Sequence, residues 1–294
     1  MRDFEYEAPT SIAAAIEILA RHNGSARPLA GGTDLIDQIR TGRHRPDVVV
    51  DIKKIPELNR LDFSGTGLRL GAAVPCYRID DDAKISEAYA ALADSARIIG
   101  GVQIQSRASV GGNLCNSGPA ADSTPSLIVL GAQAVIAGPQ GERTVPVESF
   151  CTGPGKNVLK PGEFLVELRF PARPAHSGSH YRRFIPRNEM DIAVVGVATS
   201  VVLDPSRDRF VSARIALGAV GPTPIFAQAA GDLLAGQKVS DETIARAGAA
   251  ARAAAKPIDD MRGTTEFRLH VTDVLTRRVV EEAVRRARGS RTSK

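Results

Sequence analysis

Apolar residues at Ile12, Ile16 and Leu19 recur at helical spacing behind Thr10 and Ser11, either of which can cap a helix, and Asn23-Gly24 closes the run. The pattern predicts a packing helix. Arg27 to Ala30 then reads as a short strand, Asp34 to Arg40 as a short helix stopped by Thr41-Gly42, and Val48 to Ile52 as a buried strand. Leu61-Asp62-Phe63 and Leu68-Arg69-Leu70 alternate around Ser64-Gly65-Thr66-Gly67, which predicts a hairpin. Ser86 can cap a helix whose stripe is Tyr89, Leu92, Ala96 and Ile99, ended by Gly100-Gly101. Pro125 suits the first turn of a helix running on to Leu130. Ala132 to Ala137 and Arg143 to Val147 form a second hairpin across Gly138-Pro139-Gln140-Gly141. Two similar halves, each a helix with a hairpin, are expected to flank one cleft.

Phe164 to Phe170 is the next strand. Pro171-Ala172-Arg173-Pro174 followed by His176-Ser177-Gly178-Ser179-His180 has linker composition, which puts a domain boundary near residue 175. Beyond it, Ile192 to Leu203 and Arg209 to Val220 predict an antiparallel sheet, and three helices are expected over 223–234, 240–255 and 264–288. In the last, Phe267, Val271, Val274, Leu275 and Val279 should face inward, with Glu281–Arg285 and Glu282–Arg286 as i,i+4 pairs on the solvated face. The fold class is α+β: a domain over 1–175, with subdomains of about 1–56 and 57–175, then an α+β domain over 176–294.

Two glycine-rich runs interrupt this pattern. Leu29-Ala30-Gly31-Gly32-Thr33-Asp34-Leu35 joins a strand to a helix, an arrangement that aims backbone N–H groups at phosphate. Residues 105–126 hold Ser109-Val110-Gly111-Gly112-Asn113, where Gly111 and Gly112 can take φ > 0 and lack a Cβ, while Asn113, Asn116, Ser117 and Asp122 offer side-chain hydrogen bonds. Either run alone reads as an ordinary loop. Two together suit a pyrophosphate. The first is a β-turn-α-β unit without Gly-x-Gly-x-x-Gly, which disfavours a Rossmann domain.

Composition narrows the function further. An apolar content of 43% over 294 residues supports a large core, while 4% aromatics and no Trp leave little for base-stacking surfaces. The net charge of +5 is spread along the chain, apart from a basic tail in the last few residues, which argues against nucleic acid. Cys76, Cys115 and Cys151 are too scattered for a cluster or zinc site, although Cys115 lies inside the second glycine run. His22, His44, His176, His180 and His270 show no ligand spacing and read as loop or helix-surface residues, so no metal is expected. No run of 18 apolar residues and no signal-peptide core are present, so a cytoplasmic chain is expected.

Ala-Gly-Gly-Thr-Asp at 30–34 and Ser-Val-Gly-Gly-Asn-Leu at 109–114 resemble the flavin subunits of molybdenum hydroxylases, as do Phe4-Glu5-Tyr6, Pro119 to Asp122, Met190-Asp191-Ile192-Ala193 and Gly218 to Pro224. That family includes the medium subunit of carbon monoxide dehydrogenase and the flavin domain of xanthine dehydrogenase. The resemblance implies a two-subdomain FAD fold of the vanillyl-alcohol-oxidase-like type, followed by a small antiparallel sheet with helices. It implies that Leu29, Ala30, Gly31, Gly32, Thr33, Asp34 and Leu35 form one FAD-binding segment and Val110, Gly111, Gly112, Asn113, Asn116 and Asp122 the other. Val166 would line the isoalloxazine. Arg183 stands where xanthine dehydrogenase places a flavin-contacting Lys, and its planar fork would bond differently. By the same resemblance the chain would be an oxidoreductase subunit. It would pass electrons from two [2Fe-2S] clusters on a small subunit, supplied by a large molybdopterin subunit, through FAD to an external acceptor, in a dimer of heterotrimers. The other readings are a stand-alone flavin oxidase or reductase and a non-redox nucleotide-binding scaffold subunit.

Overall fold

The computed structural model describes residues 3–289, so the basic tail lies outside the described residues. Ser11 caps α1 (Ile12–Arg21) through its Oγ, which accepts from Ala14 N at 3.2 Å. The strands β1 (Glu5–Glu7), β2 (Ala26–Leu29) and β3 (Val48–Asp51) form a parallel sheet in the order β1-β3-β2. Its central strand is fully buried, which its unbroken Val run encodes, and α2 (Leu35–Arg40) crosses between β2 and β3.

The first hairpin is β4 (Leu61–Ser64) with β5 (Gly67–Gly71). Six short helices follow: α3 (Cys76–Asp80), α4 (Ala83–Ala88), α5 (Ala90–Arg97), α6 (Val102–Gln105), α7 (Val110–Asn116) and α8 (Ser123–Val129). Ser86 lies inside α4 rather than capping it. The cap is Asp82, whose carboxylate accepts from Lys84 N at 2.9 Å and Ile85 N at 3.0 Å. Tyr89, at φ −125° and ψ 53°, splits the expected single helix in two. The second hairpin is β6 (Gln133–Gly138) with β7 (Gly141–Pro146), and β8 (Cys151–Gly153) with β9 (Lys156–Asn157) makes a small ribbon.

The two hairpins do not belong to separate halves. β10 (Phe164–Pro171) pairs antiparallel with β5 on one side and β6 on the other, giving one sheet in the order β4-β5-β10-β6-β7. Glu167 on β10 is 2% exposed and is held ionised by Arg69 and Arg169, which together outweigh the effect of its burial.

The C-terminal sheet runs β11 (Ser177–Phe184), β12 (Val195–Leu203), β13 (Phe210–Gly218) and β14 (Ile225–Phe226), all antiparallel. The segment read as a linker therefore begins an edge strand. Its small residues are there for packing: a Cβ at Gly178 would lie 2.1 Å from Ala283 O on the helix above. Residues 223–234 hold β14 and only a short α9 (Gln228–Asp232), followed by α10 (Asp241–Ala254) and α11 (Thr265–Ala287). On α11 the inward residues are Leu275, Val279, Val280, Ala283 and Val284, with Thr272 and Thr276 returning their hydroxyls to backbone carbonyls one turn back. Phe267 is 40% exposed, and Val271 and Val274 are half-buried, contrary to expectation. Glu282 takes both Arg285 at 2.5 Å and Arg286 at 2.9 Å, and Arg286 also reaches Asp94, which draws it off the solvated face.

Three apolar cores result. One lies under the parallel sheet, one between the five-stranded sheet and the short helices, and one between the C-terminal sheet and α10 and α11. Tyr181, Ala198 and Ala216 cross into the middle core, so the far face of the C-terminal sheet is also covered. Among the described residues no helix is long and apolar enough to cross a membrane.

Candidate functional site

The two glycine runs meet back to back. A Cβ on Gly31 would stand 2.0 Å from Arg107 O and 2.9 Å from Ala108 N, two residues ahead of α7, so only glycine lets β2 run into the turn there. Gly32 has φ +78°, which a side chain would strain. Gly111 and Gly112 do not take φ > 0; both sit in the first turn of α7 with Ser109 as cap, its Oγ accepting from Gly112 N at 3.0 Å. Their need for glycine is spatial and unequal. A Cβ at Gly111 would fall 2.4 Å from Ala72 O, whereas one at Gly112 would meet nothing nearer than Ser109 Oγ at 3.0 Å. Gly112 therefore turns an uncovered edge of the helix outward. The N–H groups of Gly32, Thr33 and Gly111 have no hydrogen-bond partner among the described residues.

Side chains tie the runs together. Gln38 on α2 donates to Asn116 Oδ1 on α7 at 2.9 Å, and Asn113 Oδ1 accepts from Ser123 N and Oγ at 3.3 and 2.6 Å, fixing α8 against α7. Thr33 and Asp34 are exposed, while Leu29, Ala30 and Leu35 are half-buried. Val166 is buried in the core beneath the parallel sheet. Its carbonyl accepts from Ala72 N at 2.8 Å, one link from Gly111. Cys115 sits within α7, and burial pushes its thiol up to about 12, which keeps it protonated and unreactive.

A second set of contacts was not legible from the runs themselves. Lys53 Nζ donates to Ala30 O at 3.0 Å and to Asp51 Oδ1 at 2.6 Å, and Tyr6 O–H donates to Asp51 Oδ2 at 2.5 Å. Burial raises the Asp51 carboxyl, but Lys53 and Tyr6 overcome it and hold the group below the usual carboxylate range. A cation is thereby fixed beside the first turn. The only signal in the sequence is an Asp closing the buried Val run with a Lys two residues on. Lys53→Met should weaken binding of the FAD that the resemblance implies roughly 5- to 30-fold, since one charge-assisted bond to the turn is worth about 1–2 kcal/mol. Lys53→Arg should recover part of that loss, as measured by fluorescence titration of the apoprotein.

Asp122 and Arg183, 61 residues apart, form a buried ion pair at 2.6 Å, with side chains 11% and 6% exposed. Tyr181 O–H donates to the other carboxylate oxygen at 2.8 Å. Burial pushes Asp122 up to about 6, with Arg183 and Tyr181 pulling against it. Asp122 makes no side-chain cap to α8; it joins the second glycine run to β11, and Arg183 is not a surface residue. His180 also departs from expectation. It lies on β11 with Nδ1 2.6 Å from Asp94, which Arg286 contacts at 2.7 Å. Among the described residues no group of three or more His, Cys, Asp or Glu is placed to hold a metal.

The seam thus offers unpaired backbone donors, an uncovered glycine edge and a fixed ammonium, a donor set that fits a pyrophosphate. Residues 2–173 match the family model described as the FAD binding domain in molybdopterin dehydrogenase, and residues 180–283 that of the CO dehydrogenase flavoprotein C-terminal domain. The chain is 35% identical over 292 residues to the xanthine dehydrogenase FAD-binding subunit of Escherichia coli O157:H7, covering 98% of this chain and 99% of that one. It is 32% identical over 285 residues to the carbon monoxide dehydrogenase medium chain of Afipia carboxidovorans, covering 97% and 98%. A chain of the carbon monoxide dehydrogenase structure from Hydrogenophaga pseudoflava superposes with a TM-score of 0.93 at 30% identity, covering 97% and 98%. With both family models matched along almost its whole length, the chain belongs to the FAD-binding subunits of the molybdopterin dehydrogenases, the molybdenum hydroxylases.

Proposed function

We propose that this chain holds FAD along the seam of the two glycine runs, receives electrons from iron–sulfur clusters on a small partner subunit and delivers them to an external acceptor. A large molybdopterin subunit would oxidise the substrate, in a cytoplasmic dimer of heterotrimers. The observation that carries this reading is the contact of Gly31 with the Arg107 carbonyl, which brings two phosphate-type turns into one cradle. The N–H groups of Gly32, Thr33 and Gly111 would hold phosphate oxygens, Lys53 would add positive charge, and Asn113, Asn116 and Asp122 would keep α7, α8 and β11 in register around them. FAD, when bound, exchanges electrons singly or in pairs, which lets one chain join one-electron donors to a two-electron acceptor.

The three free cysteines among the described residues lie too far apart to ligate an iron–sulfur cluster, which supports the reading that substrate oxidation takes place on a partner subunit. The FAD-loaded isolated chain should be reduced by dithionite and reoxidised by an acceptor, yet show no anaerobic bleaching with purines, N-heteroaromatics, aldehydes or carbon monoxide. Bleaching by any of these without other subunits would favour a stand-alone oxidase instead. Acid should release the flavin intact, and a yellow precipitate would rule out non-covalent binding.

A further inference from the structure

Between the end of β11 with residues 185–188 and the first half of α11 lies a groove of about 510 Å³. Its floor is apolar: Phe184 and Phe267 stand edge to face with centroids 5.6 Å apart, 39% and 40% exposed, beside Val271 and Leu275. Its rim carries the cations Arg182, Arg187 and Arg278 together with His270, and no carboxylate among the described residues lines it. A second concavity of about 600 Å³ shares Arg182 and Arg278 and continues along the helix to Arg286; its lining adds Glu281 and Glu282, of which Glu282 is already paired with Arg285 and Arg286, so its cations outnumber its carboxylates. Arg187 is engaged with Asp191 at 3.7 Å, but the Arg182 and Arg278 side chains make no ion pair or hydrogen bond among the described residues. An apolar patch with two exposed aromatics inside a rim of arginines has the composition of a binding surface.

The dimensions select the occupant. From Phe267 to Arg286 the helix spans about 28 Å, room for about eight or nine residues of extended chain. A mononucleotide would leave much of that length uncovered, and the trough has no glycine turn to receive a phosphate. Addition of a partner strand to the edge of β11 is blocked, because Asp94 already accepts from Tyr181 N and Arg286 donates to Ser179 O. The contacts left for a partner are side-chain contacts: carboxylates for Arg182 and Arg278, and an apolar side chain for the Phe184–Phe267 floor.

We infer that this trough is the docking face for an acidic segment of a partner polypeptide, anchored by one apolar residue on Phe184 and Phe267 and by carboxylates on Arg182 and Arg278. The inference rests on reading the chain as a subunit that meets electron-transfer partners. Arg183 lines the inner wall of the same groove while its guanidinium pairs with Asp122, so a docked segment lies one side chain away from the candidate flavin site.

The test uses the complex co-purified from its native source and reassembled with Arg182→Glu/Arg278→Glu. Dissociation on dilution, followed by mass photometry, should occur at a concentration at least tenfold higher than for the unaltered chain, with the flavin-to-protein absorbance ratio unchanged. As a second readout, Arg278→Lys places an amine in the trough. Carbodiimide should link it to an Asp or Glu of another polypeptide, within an acidic segment holding a large apolar residue. Unchanged dissociation with FAD retained overturns the inference and leaves the proposed function intact. Links only to a second copy of this chain also overturn it, as does ADP binding that the double reversal abolishes while partner affinity is unchanged. A chain that carries no FAD but whose assembly still responds to the reversal would remove the proposed function and leave the docking face standing.

Discussion

Gly31→Ala should abolish FAD binding and destabilise the fold by about 3 kcal/mol, because its methyl group would have to share space with the Arg107 carbonyl, 2.0 Å away. Backbone, not a movable side chain, blocks the methyl, so relief requires β2 and the α6–α7 connection to part, and the cradle opens with them. Gly112→Val makes the contrast. Its Cβ meets only Ser109 Oγ at 3.0 Å, so the helix should tolerate the change at about 1 kcal/mol while the added side chain covers the outward edge and displaces the flavin. Urea denaturation and bound-flavin absorbance separate the two effects. Full flavin occupancy in a stably folded Gly31→Ala chain would show that the seam is not the cradle.

Arg183→Met should cost about 3–5 kcal/mol at pH 8, the usual consequence of leaving a buried charge without its partner. The pH dependence has a definite sign. Asp122 titrates near 6 in the fold, above its ordinary 3.8, so its proton is held more tightly by the folded chain. Its contribution favours the fold at low pH and is lost as pH rises from about 4 to about 6. Removing Arg183 takes away a group that lowers the pKa, so the folded value rises further. The deficit of the variant should therefore be small near pH 4 and largest above 7. Asp122→Asn/Arg183→Met, which carries no buried charge at this place, should recover most of the loss. Paired urea titrations at pH 5 and pH 8 test this; an equal deficit at both would mean that lost packing around Arg183, not its charge, is responsible.

What the sequence makes legible is what short-range pattern encodes. The β2–α2–β3 unit, both hairpins, the cap at Ser11 and the two glycine runs all follow from spacing and turn chemistry within about twenty-five residues. What it hides depends on distant partners. Nothing in Phe164 to Phe170 says that this strand sits between two hairpins, and Ser177-Gly178-Ser179 reads as a linker because the helix that makes small residues necessary lies a hundred residues on. The positive φ expected of the α7 glycines is not found: crowding by Ala72 excludes a side chain at Gly111, a contact that no local pattern encodes. The role of Asp122 depends on Tyr181 and Arg183, and that of Ala30 on Lys53, none of which pattern alone can pair.

The place of β10 at the centre of the five-stranded sheet has a consequence for how the chain is made. When a ribosome has released the first 150 residues, both glycine runs and both hairpins have been synthesised, but the strand that joins them has not. At typical elongation rates, on the order of ten seconds separate β5 from β10. Through that interval β5 and β6 each present an open edge, the kind of surface that recruits chaperones or pairs with the wrong neighbour. Ala72, which packs against Gly111, gains its bond to the Val166 carbonyl only when β10 arrives. Cofactor loading is therefore expected late in synthesis, after the proposed cradle has gained its central strand: a nascent chain stalled before residue 164 has both glycine runs and the Gln38–Asn116 bond between them, but not the strand against which Ala72, the neighbour of Gly111, is fixed.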